Sequence, residues 1–227
     1  MRGIYIFCEG ATEQGFCKAV LEPHLFPQGE GRLHPIKIAH SRSHRVAHRG
    51  GVGSYAAIRG DIQRQLKSRP GDGVWITTLI DVYGLPGDFP ALADTAAAAG
   101  DPLAYVRRLE EAFGKDIDAP RFIPHLQLHE FEAMLFADPD AFTVAFERCA
   151  GAVAALKAIS AKFPSVEHID NSPRTAPSKR IIELIPAYAG RKADAGPAIA
   201  ARIGLPRIRQ KCRHLDGWLR QLEQTLR

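Results

Sequence analysis

Residues 73–81, GVWITTLID, are the stretch that decides the fold. Their β-branched, aromatic and aliphatic side chains are typical of a buried strand, and they give the strongest strand signal in the chain. A second buried strand is predicted at residues 3–8, GIYIFC. An acidic residue closes each run, Glu9 after the first and Asp81 at the end of the second. The sequence therefore predicts a sheet in which two buried strands end in carboxylates.

Strand and helix patterns alternate along the chain as far as residue 128. Further strands are predicted at residues 35–39 and 121–128. Helices are predicted at residues 13–21 (capped by Thr12 and ended by Pro23 and Pro27), 55–66 and 102–113. This alternation is typical of an α/β fold with a parallel sheet and crossover helices. After His129 the pattern is helical almost to the end. We therefore expect an α/β core over residues 1–140 and a helical, basic C-terminal region over residues 141–227 that packs on it.

Composition excludes several classes of protein. The chain has 227 residues, of which 45% are hydrophobic and 24% charged, and these ordinary proportions argue against wholesale disorder. No apolar run approaches the roughly 20 residues that span a bilayer, and the first residues lead into a strand without a signal-peptide layout. Its four cysteines are far apart and form no CxxC motif. We expect reduced thiols, a cytoplasmic protein and no membrane partner.

Positive charge is concentrated at the C-terminal end. The whole chain carries a formal charge of +5, whereas residues 174–227 hold 12 basic and 4 acidic side chains, a net +8. Such a region favours an anionic partner such as nucleic acid, and the alternative is a solvated basic surface. His40, His44 and His48 recur every four residues. Because Ser, Arg and Gly surround them, the pattern favours a basic loop over a metal site.

Acidic residues follow three of the predicted strands. They are Glu9 with Glu13, Asp81 with Asp88, and the pair Glu130 and Glu132 beside His129. In an open parallel sheet, ligands bind outside the carboxyl ends of the strands. Carboxylates that converge there repel one another unless a cation neutralises them, and oxygen ligands suit Mg²⁺ or Mn²⁺. The pattern therefore predicts a divalent-metal site at this edge.

Each of these residues also has a simpler interpretation. Glu13 would complement the dipole of its helix, and Asp81 would begin a turn. Glu130 and Glu132 would lie on the solvent side of a helix. Basic residues at an apparent helix start, Lys179 and Arg180, would be two exposed side chains or a phosphate clamp. The chain lacks the GxxxxGK[ST], GxGxxG and GxSxG motifs, so no nucleotide-binding loop or nucleophile elbow is evident.

Several longer motifs resemble a known family. The runs DVYGLPGDFP (81–90), RFIPHLQLHEFEAMLFADP (121–139), APSKR (176–180) and IRQKCRHLDGWLRQLE (208–223) resemble the domain-of-unknown-function 4276 family. EGATE (9–13) is similar to the EGxTE signature of Toprim-fold proteins. The resemblance implies a Toprim-like α/β fold, similar to the Toprim domain of overcoming-lysogenization-defect nucleases. It also implies an ATPase partner, because the genes of this family often lie beside an ATPase gene in bacterial phage-defence islands.

The resemblance also implies roles for individual residues. Glu9, Asp81, Glu132 and Lys179 would be catalytic; Glu9, Glu13, Asp81, Glu130 and Glu132 would bind metal; Asp88, His129 and Arg180 would support them. Either Glu132 or Glu130 matches the later Glu of the nucleases. One position departs from the pattern, because Tyr83 stands where the second Asp of the DxD motif is expected. That departure puts a second metal position in doubt, and Asp88 is the candidate to replace the missing carboxylate.

The leading hypothesis is a Mg²⁺- or Mn²⁺-dependent nuclease that acts in phage defence with an ATPase partner, on DNA rather than RNA. The alternative is a non-catalytic Toprim-like module that binds nucleic acid or the ATPase. A third interpretation keeps the metal but transfers a phosphoryl or nucleotidyl group to a small molecule, since the fold does not determine the reaction. The sequence leaves the number of metals and homodimer formation open.

Overall fold

A computed structural model describes residues 2–38, 53–69, 71, 73–92, 101–169 and 175–227. His40, His44 and His48, on which the basic-loop prediction rests, lie outside the described residues.

The described residues contain a five-stranded sheet in which every strand pair is parallel. The strands are β1 (Arg2–Cys8), β2 (Gly31–Lys37), β3 (Val74–Asp81), β4 (Phe122–Ile123) and β5 (Leu126–Gln127). Their order is β2-β1-β3-β4, with β5 also pairing with β3. β1 and β3 are therefore neighbours, and Cys8 lies opposite Leu79 in the register. The predicted α/β fold with a parallel sheet is confirmed.

Helices flank this sheet and dominate the C-terminal part. They are α1 (Ala11–Phe16), α2 (Glu22–Leu25), α3 (Tyr55–Ser68), α4 (Pro102–Ile117), α5 (Ala150–Ser160), α6 (Pro177–Leu184), α7 (Lys192–Ile203), α8 (Leu205–Lys211) and α9 (Arg213–Thr225). A π-helical turn over Cys17–Leu21 joins α1 to α2. Short 3₁₀ helices over Phe131–Ala137 and Pro139–Val144 follow β5. The predicted helix-rich C-terminal region is confirmed.

Three local predictions were wrong. Gly10, not Thr12, is the N-cap of α1, because Glu13 reaches back to accept a hydrogen bond from the Gly10 N–H at 2.8 Å. Pro23 does not end the helical stretch; it lies in the first turn of α2, where a missing N–H is tolerated, and the stretch ends at Leu25, shortly before Pro27. The second strand begins at Gly31 rather than at residue 35.

The predicted strand over residues 121–128 is broken into β4 and β5 at Pro124, which cannot donate to the ladder. Thr77 and Thr78 of β3 bridge the interruption with their hydroxyls. Thr77 donates to the Ile123 carbonyl at 2.6 Å and Thr78 to the His125 carbonyl at 2.7 Å. These bonds satisfy buried polar groups where the ladder is short.

The alternation of side chains along β1 supplies both faces of the sheet. Ile4, Ile6 and Cys8 enter the core shared with the C-terminal helices. Phe7 enters the second core, which α3 and α4 cover. All four cysteines are free and buried. Residues on both sides of position 140 thus share one hydrophobic cluster.

The helices α1 and α7 approach closely at Gly15. A Cβ atom at this position would lie 2.6 Å from Pro197 Cγ, which is nearer than real Cβ contacts come. Because α7 also carries Lys192, this contact sets how near that lysine comes to the sheet edge.

We expect Gly15→Ala to lower the free energy of unfolding by about 1–3 kcal/mol, because the added methyl overpacks a tight contact. Gly217→Ala is the matched control: it lies inside α9, has no atom within 4 Å of the added Cβ, and should raise stability by about 0.5–1 kcal/mol. Urea unfolding measures both values. Equal effects of the two substitutions would show that the α1–α7 contact is not tight.

Candidate functional site: an acidic cleft at the carboxyl edge of the sheet

A cleft of about 370 Å³ opens where β1 and β3 end. Five carboxylates line it: Glu9, Glu13, Asp81, Glu130 and Glu132. Three lysines also line it: Lys37, Lys179 and Lys192. We call this the acidic cleft. The structure thus brings together all five carboxylates that the sequence assigned to a metal site, as well as Lys179.

Two of the cleft carboxylates, Glu9 and Asp81, lie at the ends of the adjacent strands β1 and β3. Glu9 Oε2 and Asp81 Oδ1 are buried, and neither makes a hydrogen bond with a described residue. Burial, and then the charge of Glu13, raises the pKa of Glu9 to about 7. Burial and the neighbouring Glu9 raise the pKa of Asp81 well above its ordinary value. These two oxygens are therefore desolvated acceptors without a donor, which a bound cation would stabilise.

Glu13 and Glu130 each have one oxygen engaged by a backbone donor. Glu13 Oε2 accepts from the Gly10 N–H, and Glu130 Oε2 accepts from the Ser178 N–H at 2.9 Å. Glu13 thus closes the first turn of α1, and Glu130 binds the first turn of α6. Burial raises the pKa of Glu13, although the backbone N–H groups of Glu13 and Gly10 oppose this rise. Each carboxylate thus binds a backbone N–H at the start of a helix, Glu13 at α1 and Glu130 at α6.

Glu132 is nine-tenths or more buried and pairs with Lys192. Lys192 Nζ lies 2.9 Å from Glu132 Oε1, and the Tyr188 hydroxyl donates to the same oxygen at 3.4 Å. Burial raises the pKa of Glu132, and Lys192 partly offsets this rise. The interpretation that placed Glu132 on the solvent side of a helix is wrong, because its 3₁₀ helix is buried along its whole length. Lys192 keeps a buried carboxylate in charge balance.

The sequence did not single out Lys37 or Lys192. Lys37 is the last residue of β2 and so follows the same strand-end rule as Glu9. Lys192 begins α7, and no local pattern relates that helix to the sheet edge. Lys179 of α6 is exposed at the cleft. Three cations from three separate segments therefore border the acidic cleft.

The three supporting residues lie differently from the carboxylates. Asp88 Oδ1 accepts the Tyr55 N–H at 3.0 Å at the start of α3. Arg180 donates to the Thr175 carbonyl at 2.7 Å, and its guanidinium lies over the Phe163 ring. His129 is buried, has φ 67°, and its carbonyl accepts the Tyr83 N–H at 3.3 Å. None of these three residues lines the acidic cleft.

Gly84 forms part of the wall beside Glu9. A Cβ atom here would lie 2.6 Å from Glu9 Oε2 and 2.8 Å from Oε1, so only glycine leaves the carboxylate where it is. Tyr83, which stands where a second acid of DxD is expected, lines the cleft with its side chain half exposed. The YG dipeptide thus shapes the cleft without adding a carboxylate.

Donor atoms suited to a metal ion converge elsewhere. In the part of the chain that the structure describes, one group has three such atoms within 4.8 Å of one another: Glu110, His125 and His214. These residues could hold a metal ion. The cleft carboxylates do not converge as closely, but Mg²⁺ is usually bound through one or two carboxylates and keeps several waters. The unpartnered oxygens of Glu9 and Asp81 fit that requirement.

The fold and cleft define a parallel α/β protein with buried carboxylates and a lysine rim at the carboxyl edge of its sheet. A family model, domain of unknown function DUF4276, matches residues 8–223, and the chain belongs to this family. No curated protein and no solved structure matches the chain. No helix among the described residues has the length and apolarity needed to cross a membrane.

We expect Glu9→Gln to stabilise the metal-free protein at alkaline pH. The pKa of Glu9 is raised from its ordinary value of 4.5 to about 7 in the folded protein. Between these two pH values the unfolded chain has already released the proton that the folded protein still holds, so stability falls as the pH rises. The variant should match the wild type near pH 4 and exceed it by up to about 3 kcal/mol at pH 8. Urea unfolding with a chelator present measures this difference. Glu111→Gln on the exposed side of α4 is the control, and a wild type as stable as Glu9→Gln at pH 8 would contradict the raised pKa.

Proposed function

We propose that the acidic cleft catalyses metal-dependent hydrolysis of a phosphodiester bond in nucleic acid, DNA rather than RNA. The observation that carries the proposal is the pair of buried, unpartnered oxygens on Glu9 and Asp81. Two desolvated carboxylates side by side at the ends of β1 and β3 are an unfavourable arrangement without a cation. An arrangement of this kind is typical of functional sites, where charges are placed for chemistry at the expense of stability.

Within this proposal, Glu9 and Asp81 hold Mg²⁺ or Mn²⁺. The ion, when bound, supplies Lewis-acid polarisation of the scissile phosphoryl group. Lys179 is exposed at the cleft and would offset negative charge that develops on the phosphate. Lys192 keeps Glu132 Oε1 in place, so that Glu132 faces the cleft in a fixed position. Glu13 and Glu130 retain one oxygen each for a second ion.

The lysines and the basic C-terminal region support a polyanionic substrate. Lys37, Lys179 and Lys192 border the cleft, and residues 174–227 carry a net +8. Part of this charge is paired internally, since Arg209 contacts Asp216 and Glu223, and Arg220 contacts Asp216. The net charge of +8 already includes Asp216 and Glu223, so positive charge remains in excess after this pairing. Contacts of this type hold the phosphate backbone without reading base sequence.

The setting of this activity is also a proposal. Family resemblance supports a Toprim-like superfamily assignment, a role as the effector of a bacterial phage-defence system, and an ATPase partner in the cytoplasm. The acids at the ends of adjacent parallel strands are consistent with the Toprim arrangement that the EGATE run suggests. A second candidate function is a non-catalytic module that binds nucleic acid or the ATPase. Tyr83 favours this candidate, because it replaces the second acid of the DxD motif.

Cleavage assays separate the two functions. On supercoiled plasmid and single-stranded RNA with Mn²⁺, we expect Glu9→Gln and Asp81→Asn to lower the cleavage rate by roughly 100-fold or more, because each removes a metal ligand. Asp88→Asn is the matched control and should stay within about threefold of wild type, because Asp88 bonds to the Tyr55 N–H rather than facing the cleft.

The outcomes point in different directions. Cleavage that persists in both Glu9→Gln and Asp81→Asn would overturn the assignment of the site. A wild type that binds DNA with a steep salt dependence, yet does not cleave it with or without the ATPase, would establish the binding module instead.

We also expect Gly84→Ala to weaken Mn²⁺ binding by about tenfold, because the added methyl displaces the Glu9 carboxylate. Gly87→Ala is the control in the same loop, since its Cβ would meet no atom within 4 Å. Calorimetric titration of Mn²⁺ compares the two variants with wild type. Equal affinities in all three proteins would show that Glu9 does not contact the ion.

A further inference from the structure

A second cluster of metal-ligand side chains lies at the β4–β5 side of the sheet. Glu110 belongs to α4, His125 to the two residues between β4 and β5, and His214 to the first turn of α9. We call these three residues the histidine–glutamate cluster. They border a cavity of about 270 Å³ that shares no lining residue with the acidic cleft. The cluster therefore joins three segments that are distant in sequence, away from the proposed catalytic carboxylates.

The side chains of the cluster point at one another. His214 Nε2 lies 2.9 Å from Glu110 Oε1, and His125 Nδ1 lies 3.4 Å from the same oxygen. His125 is fully buried; its Nδ1 meets Glu110 only in this 3.4 Å ion-pair contact, and neither ring nitrogen makes a hydrogen bond of good geometry within the described residues. A buried imidazole without a hydrogen-bonded nitrogen is unusual, because each such group loses its contact with water. This ring is the observation that points to a ligand.

The ionisation of the cluster suits a cation. Burial lowers the pKa of His125 to about 4, so its imidazole is neutral and can donate a lone pair. Although burial opposes it, the two imidazoles lower the pKa of Glu110 to about 2. Glu110, in turn, raises the pKa of His214 against the effect of burial.

Surrounding contacts hold the ligands in place. The Leu126 N–H donates to Glu110 Oε1 at 2.8 Å, and the His125 N–H donates to Thr78 Oγ1 at 3.0 Å. The Trp218 indole stacks on His125 with centroids 4.2 Å apart. Contacts of this kind orient the ligands of metal sites. Arg107 and Arg213 also border the cavity, so a remaining coordination position faces positive charge and favours water, hydroxide or another anion.

We infer that Glu110, His125 and His214 form a binding site for a zinc-like transition metal, distinct in position and chemistry from the Mg²⁺ or Mn²⁺ proposed for the acidic cleft. Two imidazoles and one carboxylate are ligands that Zn²⁺ accepts, with a fourth position left for solvent, whereas Mg²⁺ prefers oxygen ligands alone. Ligand atoms about 2.1 Å from one zinc ion lie about 3.4 Å apart. Glu110 Oε1 already lies 2.9 Å from His214 Nε2 and 3.4 Å from His125 Nδ1, so binding would need only small shifts of these side chains. A bound ion would also fasten α9 to the edge of the sheet.

Titration of the full chain with Zn²⁺ tests this site. Protein freed of metal by a chelator is titrated with ZnCl₂ by calorimetry, and with Co²⁺ while the visible absorption of tetrahedral Co²⁺ is recorded. We expect one Zn²⁺ per chain, a higher melting temperature with Zn²⁺, and no displacement by millimolar Mg²⁺. His214→Gln keeps an N–H that can reach Glu110 but is a poor zinc ligand, and it should bind at least tenfold more weakly.

Matched variants separate the two metal sites. Glu9→Gln removes one proposed metal ligand from the acidic cleft and should leave the Zn²⁺ affinity of the histidine–glutamate cluster unchanged. His34→Gln on β2 should also leave this affinity unchanged. If His214→Gln does not fold, Glu110→Gln replaces it. Absence of stoichiometric Zn²⁺ binding in wild type, or affinity that survives in His214→Gln or Glu110→Gln, would overturn the inference. Loss of affinity in Glu9→Gln alone would assign the Zn²⁺ to the acidic cleft and overturn it as well.

Discussion

The parallel pairing of β1 with β3 is the constraint on which the site depends. It places Glu9 just beyond Cys8 and Asp81 just beyond Leu79 and Ile80, while Cys8 and Leu79 lie opposite each other. When adjacent parallel strands end at the same level, the residues at their carboxyl ends lie close together at one edge of the sheet. Because both carboxylates are partly buried and close to other acids, their ionised forms lose hydration and repel each other. Neighbouring segments place hydrogen-bond donors and a lysine near the other acids of the cleft, which limits this unfavourable charge.

Three of these segments supply partial compensation. The first turns of α1 and α6 turn backbone N–H groups toward Glu13 and Glu130, and α7 brings Lys192 to Glu132. Helix starts are suited to this task, because their first N–H groups lack partners within the helix. The C-terminal helices are therefore part of the site as well as a cover for the sheet. Glu9 Oε2 and Asp81 Oδ1 remain without such compensation.

Parts of this arrangement could be predicted from the sequence because they follow from strand periodicity. The buried runs that end at Cys8 and Asp81 identified both strands, and the strand-end rule brought the acids together. Lys192 could not be predicted, because its position depends on the close packing of Gly15 against Pro197 between distant helices. The cap of α1 was missed for a different reason: Thr12 is a good cap residue, but the Glu13–Gly10 bond places the cap two residues earlier.

The histidine–glutamate cluster was missed because no motif spacing relates its members. Glu110, His125 and His214 come from a helix, a strand break and a second helix, and only the fold brings them together. Pro124 is the local cause: it interrupts the edge strand, and the interruption turns His125 toward Trp218 and His214.

The acidic cleft and the cluster also differ in how they balance charge. Lys192 already neutralises Glu132 in the cleft, so a divalent ion gains most from Glu9 and Asp81, where no cation is paired. With Tyr83 in place of a further acid, an ion at Glu9 and Asp81 would be held more tightly than a second ion at Glu13 and Glu130. A substrate phosphate would then approach from the side of Lys37 and Lys179, neither of which forms an ion pair with a carboxylate of the described residues. Under the proposed function, the unequal pairing of lysines and carboxylates would thus give the cleft a metal side and a phosphate side.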